Sequence, residues 1–108
     1  MPELTTLDEL TAAPHAEMFE ERRPRAVRLR LDADERVPPH THPGTNVVFH
    51  LLSGHVELSL DDETYDVRPG QLVRCSGECE ISPHALDPST AVVVFAPSVD
   101  DAGRSRSR

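Results

Sequence analysis

The stretch that decides the fold is PPHTHPGTNVVFHLLSG, residues 38–54. It places two histidines, His40 and His42, directly before an apolar run that ends at Gly54. Residues i and i+2 of an extended segment point to the same face, so the two imidazoles can converge on one metal ion. The flanking prolines and Gly44 fix the path of the backbone. The stretch therefore predicts a strand entered through a turn that carries a pair of candidate metal ligands.

Strands with a period of two lie on both sides of this stretch. Residues 26–32 alternate cleanly, so their apolar side chains are predicted to face inward and Arg28 and Arg30 to face water. Further strands are predicted at residues 46–53, 56–60, 64–67, 72–75, 78–82 and 91–96. Many short strands separated by Gly, Pro and Asp turns predict an all-β sandwich or barrel.

The chain divides into three parts. Its 108 residues suffice for one small core, which we assign to residues 25–97. Residues 1–24 are predicted to pack on that core. They begin with a short helix, because Thr6 and Glu9 have capping-box spacing. Residues 98–108 are polar and lack apolar periodicity, so we predict a disordered tail there.

The charge balance limits the expected partners. The formal net charge is −8, and all 11 basic residues are arginines. We expect neither nucleic acid nor an anionic membrane as a partner, because both are negatively charged. The N-terminus lacks the layout of a signal peptide and no apolar run reaches membrane-spanning length, so a cytoplasmic protein is expected. Dense carboxylates without lysine favour a halophilic protein from a high-salt cytoplasm, with a GC-rich genome as the other explanation.

Residues 40–54, HTHPGTNVVFHLLSG, resemble the first motif of the cupin family, which reads His-x-His, three or four residues, Glu, six residues, Gly. Residues 65–73, YDVRPGQLV, resemble the strand–PG–strand that opens the second cupin motif, and residues 92–97 resemble its closing strand. The resemblance covers roughly residues 25–97. It implies a small single-domain cupin, which is an antiparallel, jelly-roll-like β-barrel, and small cupins are commonly homodimers.

The resemblance also implies a divalent metal inside the barrel, bound by two histidines, a glutamate and a third histidine. His40 and His42 match the first two ligands, whereas Val47 stands at the position of the glutamate. The third histidine should fall between Cys79 and Ile81, and we assign that ligand position to Cys79.

Other ligands and an empty site stay open as alternatives. His84 and Asn46 are the alternatives to Cys79, and Glu78 and Glu80 lie close enough in sequence to substitute. Zinc is favoured, because it accepts mixed nitrogen and sulfur ligands, with iron, nickel or manganese as alternatives. A degenerate site that binds no metal is the remaining interpretation.

The barrel interior is predicted to be an apolar pocket with the two histidines at one end. The predicted lining consists of Val47, Phe49, Leu51, Leu58 and Leu72. Three further histidines are not expected in the site. His50 falls on the opposite face of its strand, suited to sheet packing or a dimer interface, His55 is expected to be exposed, and His15 has no sequence partner.

Two function classes follow from these residues. A barrel that binds a divalent metal or a small molecule would serve as a binding or sensing module. A metal-dependent enzyme acting on a small molecule, of the isomerase or oxygenase type, is the alternative. Val47 in place of the carboxylate and the apolar interior favour the binding module over a complete dioxygenase.

Overall fold

Six antiparallel strands in one sheet account for most of the described residues. The computed structural model describes residues 2–98. A single 3-10 turn at Leu7–Glu9 precedes strands β1 (His15–Glu17), β2 (Arg25–Leu31), β3 (Thr45–Leu60), β4 (Glu63–Val67), β5 (Leu72–Ser76) and β6 (Ile81–Pro97). The strand order is β1-β2-β6-β3-β4, and β5 also pairs with β3. The predicted all-β, antiparallel fold with a short N-terminal helical segment is confirmed, and no described helix is long and apolar enough to cross a membrane.

Strand β3 is long enough to take part in two halves of the barrel. Residues 46–50 pair with β5, residues 56–60 pair with β4, and β6 runs along the other edge of both halves. The pairing with β6 is irregular between Leu51 and Val56, around Gly54, whose φ is +93°. A Cβ on Gly54 would lie closer than 3.0 Å to Ser89. The two strands predicted at residues 46–53 and 56–60 are therefore one strand, bent at an irregularity that only glycine fits.

The interior contains four of the five side chains predicted to line it. Val47, Phe49, Leu51 and Leu58 are buried, whereas Leu72 is 60% exposed, so its prediction was wrong. The inward-facing positions of β5 are Val73 and Cys75, which pack against the core. Because side chains alternate along a strand, placing β5 one residue out of phase exchanges its two faces.

The prediction that Arg28 faces water was also wrong. Arg28 is only 1% exposed, because the N-terminal segment covers the outer face of β2 at this point. Its guanidinium donates to the carbonyl oxygens of Leu7 and Leu10, both at 3.4 Å, and of Ala12 at 2.9 Å. Arg30, two residues further on, is exposed as predicted.

The N-terminal helix is a single turn without the predicted capping box. The Thr6 side chain makes no capping hydrogen bond. Its backbone carbonyl instead accepts from the Glu9 amide at 3.0 Å, which is the bond of a 3-10 turn. Of the predicted tail, only Ser98 is described, and its amide donates to the Gly44 carbonyl at 2.8 Å. The rest of the tail, residues 99–108, lies outside the described residues.

Candidate ligand-binding site

His40 and His42 are fixed by backbone bonds to the segment that precedes and begins β6. The amide of His40 donates to the carbonyl of Ile81 at 3.2 Å, and the amide of Ile81 donates back at 2.9 Å. The amide of His42 donates to the carbonyl of Gly77 at 2.7 Å. With both backbones held, the two imidazole rings lie 4.6 Å apart between centroids, at 77° to each other. The structure thus brings together the two side chains that the i, i+2 spacing predicted to converge.

These rings border a small cavity inside the barrel. Its free volume is about 40 Å³, room for about three water-sized groups. Apolar side chains form most of its wall, among them Val47, Phe49, Leu58, Ile81 and Phe95. The polar part of the wall is a group of imidazoles, His15, His40 and His42, which we call the histidine cluster.

His15 is the member of this cluster that sequence reasoning missed. It belongs to β1, where it pairs with Leu29 of β2, a residue of the cavity wall. The strand has only three residues, too few to show a period of two. No local signal marks His15, and only the pairing of β1 with β2 places it at the cavity.

Burial favours the neutral form of two imidazoles of the cluster, His42 and His15. Burial lowers the pKa of His42, and the nearby His40 and Arg25 lower it further. Burial also lowers the pKa of His15, with smaller contributions from His40 and Arg25. The Nδ1 atom of His40 lies 2.8 Å from the carbonyl oxygen of Pro38. Because a carbonyl only accepts, this Nδ1 carries a proton.

The donor set does not fit the metal site that the sequence resemblance implies. Val47 replaces the glutamate and is buried in the cavity wall. Ile81, whose backbone pairs with that of His40, is the residue that lines the cavity in the region expected to supply the third histidine. Within residues 2–98, no group of three or more His, Cys, Asp or Glu side chains is arranged to hold a metal ion.

Cys79, the predicted third ligand, does not line the cavity. It borders a separate surface cleft that it shares with Asp61 and Tyr65. Desolvation raises the pKa of its thiol, and a hydrogen bond with Asp61 raises it further. Cys79 therefore lies in a different cleft from His40 and His42.

The alternative ligands also lie outside the cavity wall. His84 contacts Arg36 at 3.4 Å and lies 3.8 Å from the carboxylates of Asp34 and Glu57. The side-chain oxygen of Asn46 accepts from Arg74 at 3.0 Å. Both side chains are thus engaged away from the histidine cluster.

The two glutamates near the third-ligand position are exposed. The Glu78 carboxylate accepts from the Gly44 amide at 3.3 Å, and the Glu80 amide donates to Asp61 at 2.9 Å. Neither residue lines the cavity.

The remaining two histidines lie elsewhere on the barrel. His50 is half-buried between two inward-facing neighbours, Phe49 and Leu51, as expected for the opposite face of β3. His55 was predicted to be exposed, which was wrong, since its side chain is only 19% exposed and bonds through Nε2 to Asp66. The signal that would have found this contact is the pairing of β3 with β4.

Comparison with known proteins identifies similar chains. The family model of the cupin domain matches residues 27–96. No curated protein matches the sequence. Among solved structures, KdgF from Halomonas sp. superposes with a TM-score of 0.79 at 19% identity, over 94% of this chain and 99% of that chain.

Two further solved structures superpose over nearly their whole length. TT1209 from Thermus thermophilus has a TM-score of 0.76 at 21% identity, over 89% of this chain and 98% of that chain. An RmlC-like cupin from Shewanella frigidimarina has a TM-score of 0.76 at 11% identity, over 94% of this chain and 96% of that chain. At these identities the similarity shows the fold alone.

Proposed function

The chain belongs to the cupin domain family, and on that premise we propose that its barrel is a small-molecule binding site, serving as a binding or sensing module. The observation that carries this proposal is the composition of the cavity wall. Apolar side chains, including Val47 and Ile81, stand where a metal centre would need ligands, and the histidine cluster lies beside them. A pocket with apolar walls and a few polar groups at one end is typical of small-molecule sites.

The size and chemistry of the cavity define the part of a ligand that enters it. About 40 Å³ accepts a short alkyl group and excludes a ring system without movement of the wall. At the polar end, the imidazoles of the histidine cluster offer ring nitrogens for a hydrogen bond with a ligand. The site therefore suits a molecule with a compact apolar end adjacent to a polar group.

This function is tested by titrating the protein with isobutyramide, a compact branched amide, and following backbone amide chemical shifts. We expect shifts at Val47, Phe49 and Ile81, which border the cavity. A Val47→Ile variant adds a methylene group to the cavity and should reduce these shifts. Val48→Ile, at the next position on the same strand and outside the cavity wall, is the matched control. Shifts absent from all cavity residues would contradict the proposed function.

A metal-dependent isomerase or oxygenase is the second candidate function. The observation in its favour is that His40 and His42 are adjacent and that burial keeps His42 neutral, the form that binds metals. These two imidazoles would then hold zinc, iron, nickel or manganese, and the metal would supply Lewis-acid or redox chemistry.

Elemental analysis separates the two candidates. If the cavity is a binding module without a resident metal, protein dialysed against buffer should hold well below one equivalent of any of these metals. Stoichiometric metal that is lost in a folded His40→Ala/His42→Ala variant would favour the enzyme. We also propose that the protein is a homodimer. Sedimentation equilibrium of the wild type and of a His50→Glu variant is the measurement that tests this proposal.

A further inference from the structure

One surface cleft of this acidic protein is lined by arginines. The chain has 19 Asp and Glu residues against 11 basic residues. Nevertheless, within residues 2–98 no carboxylate side chain lines this cleft. We call it the arginine cleft, and the lining residues that matter here are Arg22, Arg23, Arg25, His42, Thr45 and Phe95.

Arg25 is held in a fixed position at the boundary between this cleft and the cavity. A Glu17 carboxylate oxygen accepts from its Nε at 2.9 Å and from a terminal nitrogen at 2.6 Å. The guanidinium carbon lies 5.0 Å from the centroid of the Phe95 ring. A guanidinium fixed by a carboxylate and an aromatic ring loses little conformational freedom when it binds an anion.

Positive charge remains in the cleft after the internal ion pairs are counted. Among the described residues, Glu17 is the one carboxylate that pairs with these arginines, and it also lies 3.4 Å from the Nε of Arg22. Arg23 makes no ion pair in the same part of the chain. The nearby Glu21 borders a separate groove, where its carboxylate accepts from the backbone amide of Arg22. Three guanidinium groups thus share one carboxylate, which leaves charge for a bound anion.

The arginine cleft and the barrel cavity are adjacent. His42 and Phe95 line both, with their ring centroids 4.4 Å apart. The cleft has a free volume of about 370 Å³, against about 40 Å³ for the cavity. A molecule bound across the boundary would have its larger, charged part in the cleft and only a small apolar part inside the barrel.

We propose that the ligand is a small carboxylate with a short branched alkyl group, whose carboxylate binds in the arginine cleft and whose alkyl group enters the cavity. This assignment rests on the proposed small-molecule function of the cavity. Guanidinium groups bind carboxylates through paired, charge-assisted hydrogen bonds, and the adjacent apolar wall selects against small inorganic anions.

The test compares isobutyrate with isobutyramide, which have nearly the same shape and differ in charge. Both should shift the amides of Val47 and Phe49, and isobutyrate should in addition shift those of Arg23 and Thr45. Because the guanidinium groups are partly exposed, we expect isobutyrate to bind about three- to tenfold more tightly than isobutyramide.

Arginine variants assign the preference to the cleft. Arg23→Gln should lower the ratio of the two affinities while leaving the fold intact, since Arg23 makes no ion pair in residues 2–98. Arg25→Gln should have the same effect. Arg68→Gln is the matched control, because this exposed arginine pairs with Asp66 and does not line the cleft.

Each remaining outcome has a defined meaning. Equal affinities with cavity shifts for both ligands would overturn the carboxylate assignment and leave the proposed function standing. No cavity shift with either ligand would overturn the proposed function itself. Inorganic phosphate binding as tightly as isobutyrate would show a general anion site and overturn the assignment of an alkyl carboxylate.

Discussion

Gly77 shows how a single residue positions the site. It has no local sequence signal, yet its carbonyl accepts from the His42 amide and its own amide donates to the Thr45 carbonyl at 2.8 Å. A Cβ at this position would lie closer than 3.0 Å to backbone atoms of His42 and Thr45. The loop that carries His42 therefore rests directly on the glycine backbone.

We expect Gly77→Ala to displace the His42 loop and to destabilise the protein by about 1–3 kcal/mol, the usual cost of overpacking. Chemical denaturation measures the stability, and the ring proton shifts of His42 report the displacement. Gly70→Ala is the control, since a Cβ there meets nothing within 4 Å and only its φ of +87° is strained. Unchanged His42 shifts in the Gly77 variant would contradict this account.

His42 also gives the protein a pH dependence. Burial lowers its pKa from the ordinary 6.5 in the folded state, whereas the unfolded chain titrates near that value. As the pH falls below about 6.5, the unfolded state binds more protons than the folded state, so the free energy of unfolding decreases. Stability measured between about pH 7.5 and about pH 5.5 should fall more steeply in the wild type than in His42→Gln. Parallel curves for the two proteins would show that His42 does not contribute.

At the scale of elements, the N-terminal segment is attached to β2 through one buried side chain. Arg28 supplies three bonds to backbone carbonyls of residues 7–12, and its Nε is the one buried side-chain nitrogen or oxygen without a partner in residues 2–98. The alternating pattern of β2 predicted that Arg28 is exposed, because this local pattern contains no information about a covering segment that is remote in sequence. The covering segment lies 16–21 residues before Arg28.

Replacing Arg28 with methionine should release this segment. Methionine has a side chain of similar length but no hydrogen-bond donors. Loss of the charge-assisted hydrogen bonds should lower the free energy of unfolding by about 1–3 kcal/mol. Hydrogen exchange at residues 7–12 should accelerate, while the amides of β3 and β6 keep their protection. Arg30→Met, on the exposed neighbouring position, should leave the exchange unchanged. Equal exchange in both variants would rule out this role of Arg28.

At the scale of the whole molecule, the charge is the dominant surface property. At a net charge of −8 on 108 residues, the excess carboxylates repel one another in dilute buffer, and salt screens this repulsion. We expect the melting temperature to rise as KCl increases toward molar concentration. Thermal unfolding followed by circular dichroism measures this effect. A melting temperature that is the same in dilute buffer and in high salt would contradict the high-salt interpretation.

The sequence by itself determined the fold and the nearness of His40 and His42. Both depend on short-range geometry: the alternation of strand residues, the turns between strands, and the i, i+2 spacing that points two side chains the same way. The family motifs depend on the same local patterns, so they were recognisable from residues 40–54 together with residues 65–73 and 92–97. The same motif also showed, from the sequence alone, that Val47 stands at the position of the family's glutamate.

Only the tertiary structure decided what surrounds the two histidines. It placed Ile81 in the cavity wall and Cys79 in another cleft, added His15 from β1, and brought three arginines into a cleft that Phe95 also lines. These placements depend on pairing between strands far apart in the chain, where a shift of one residue exchanges the inner and outer faces. No local pattern encodes that register, so the surroundings of the site followed from the folded barrel.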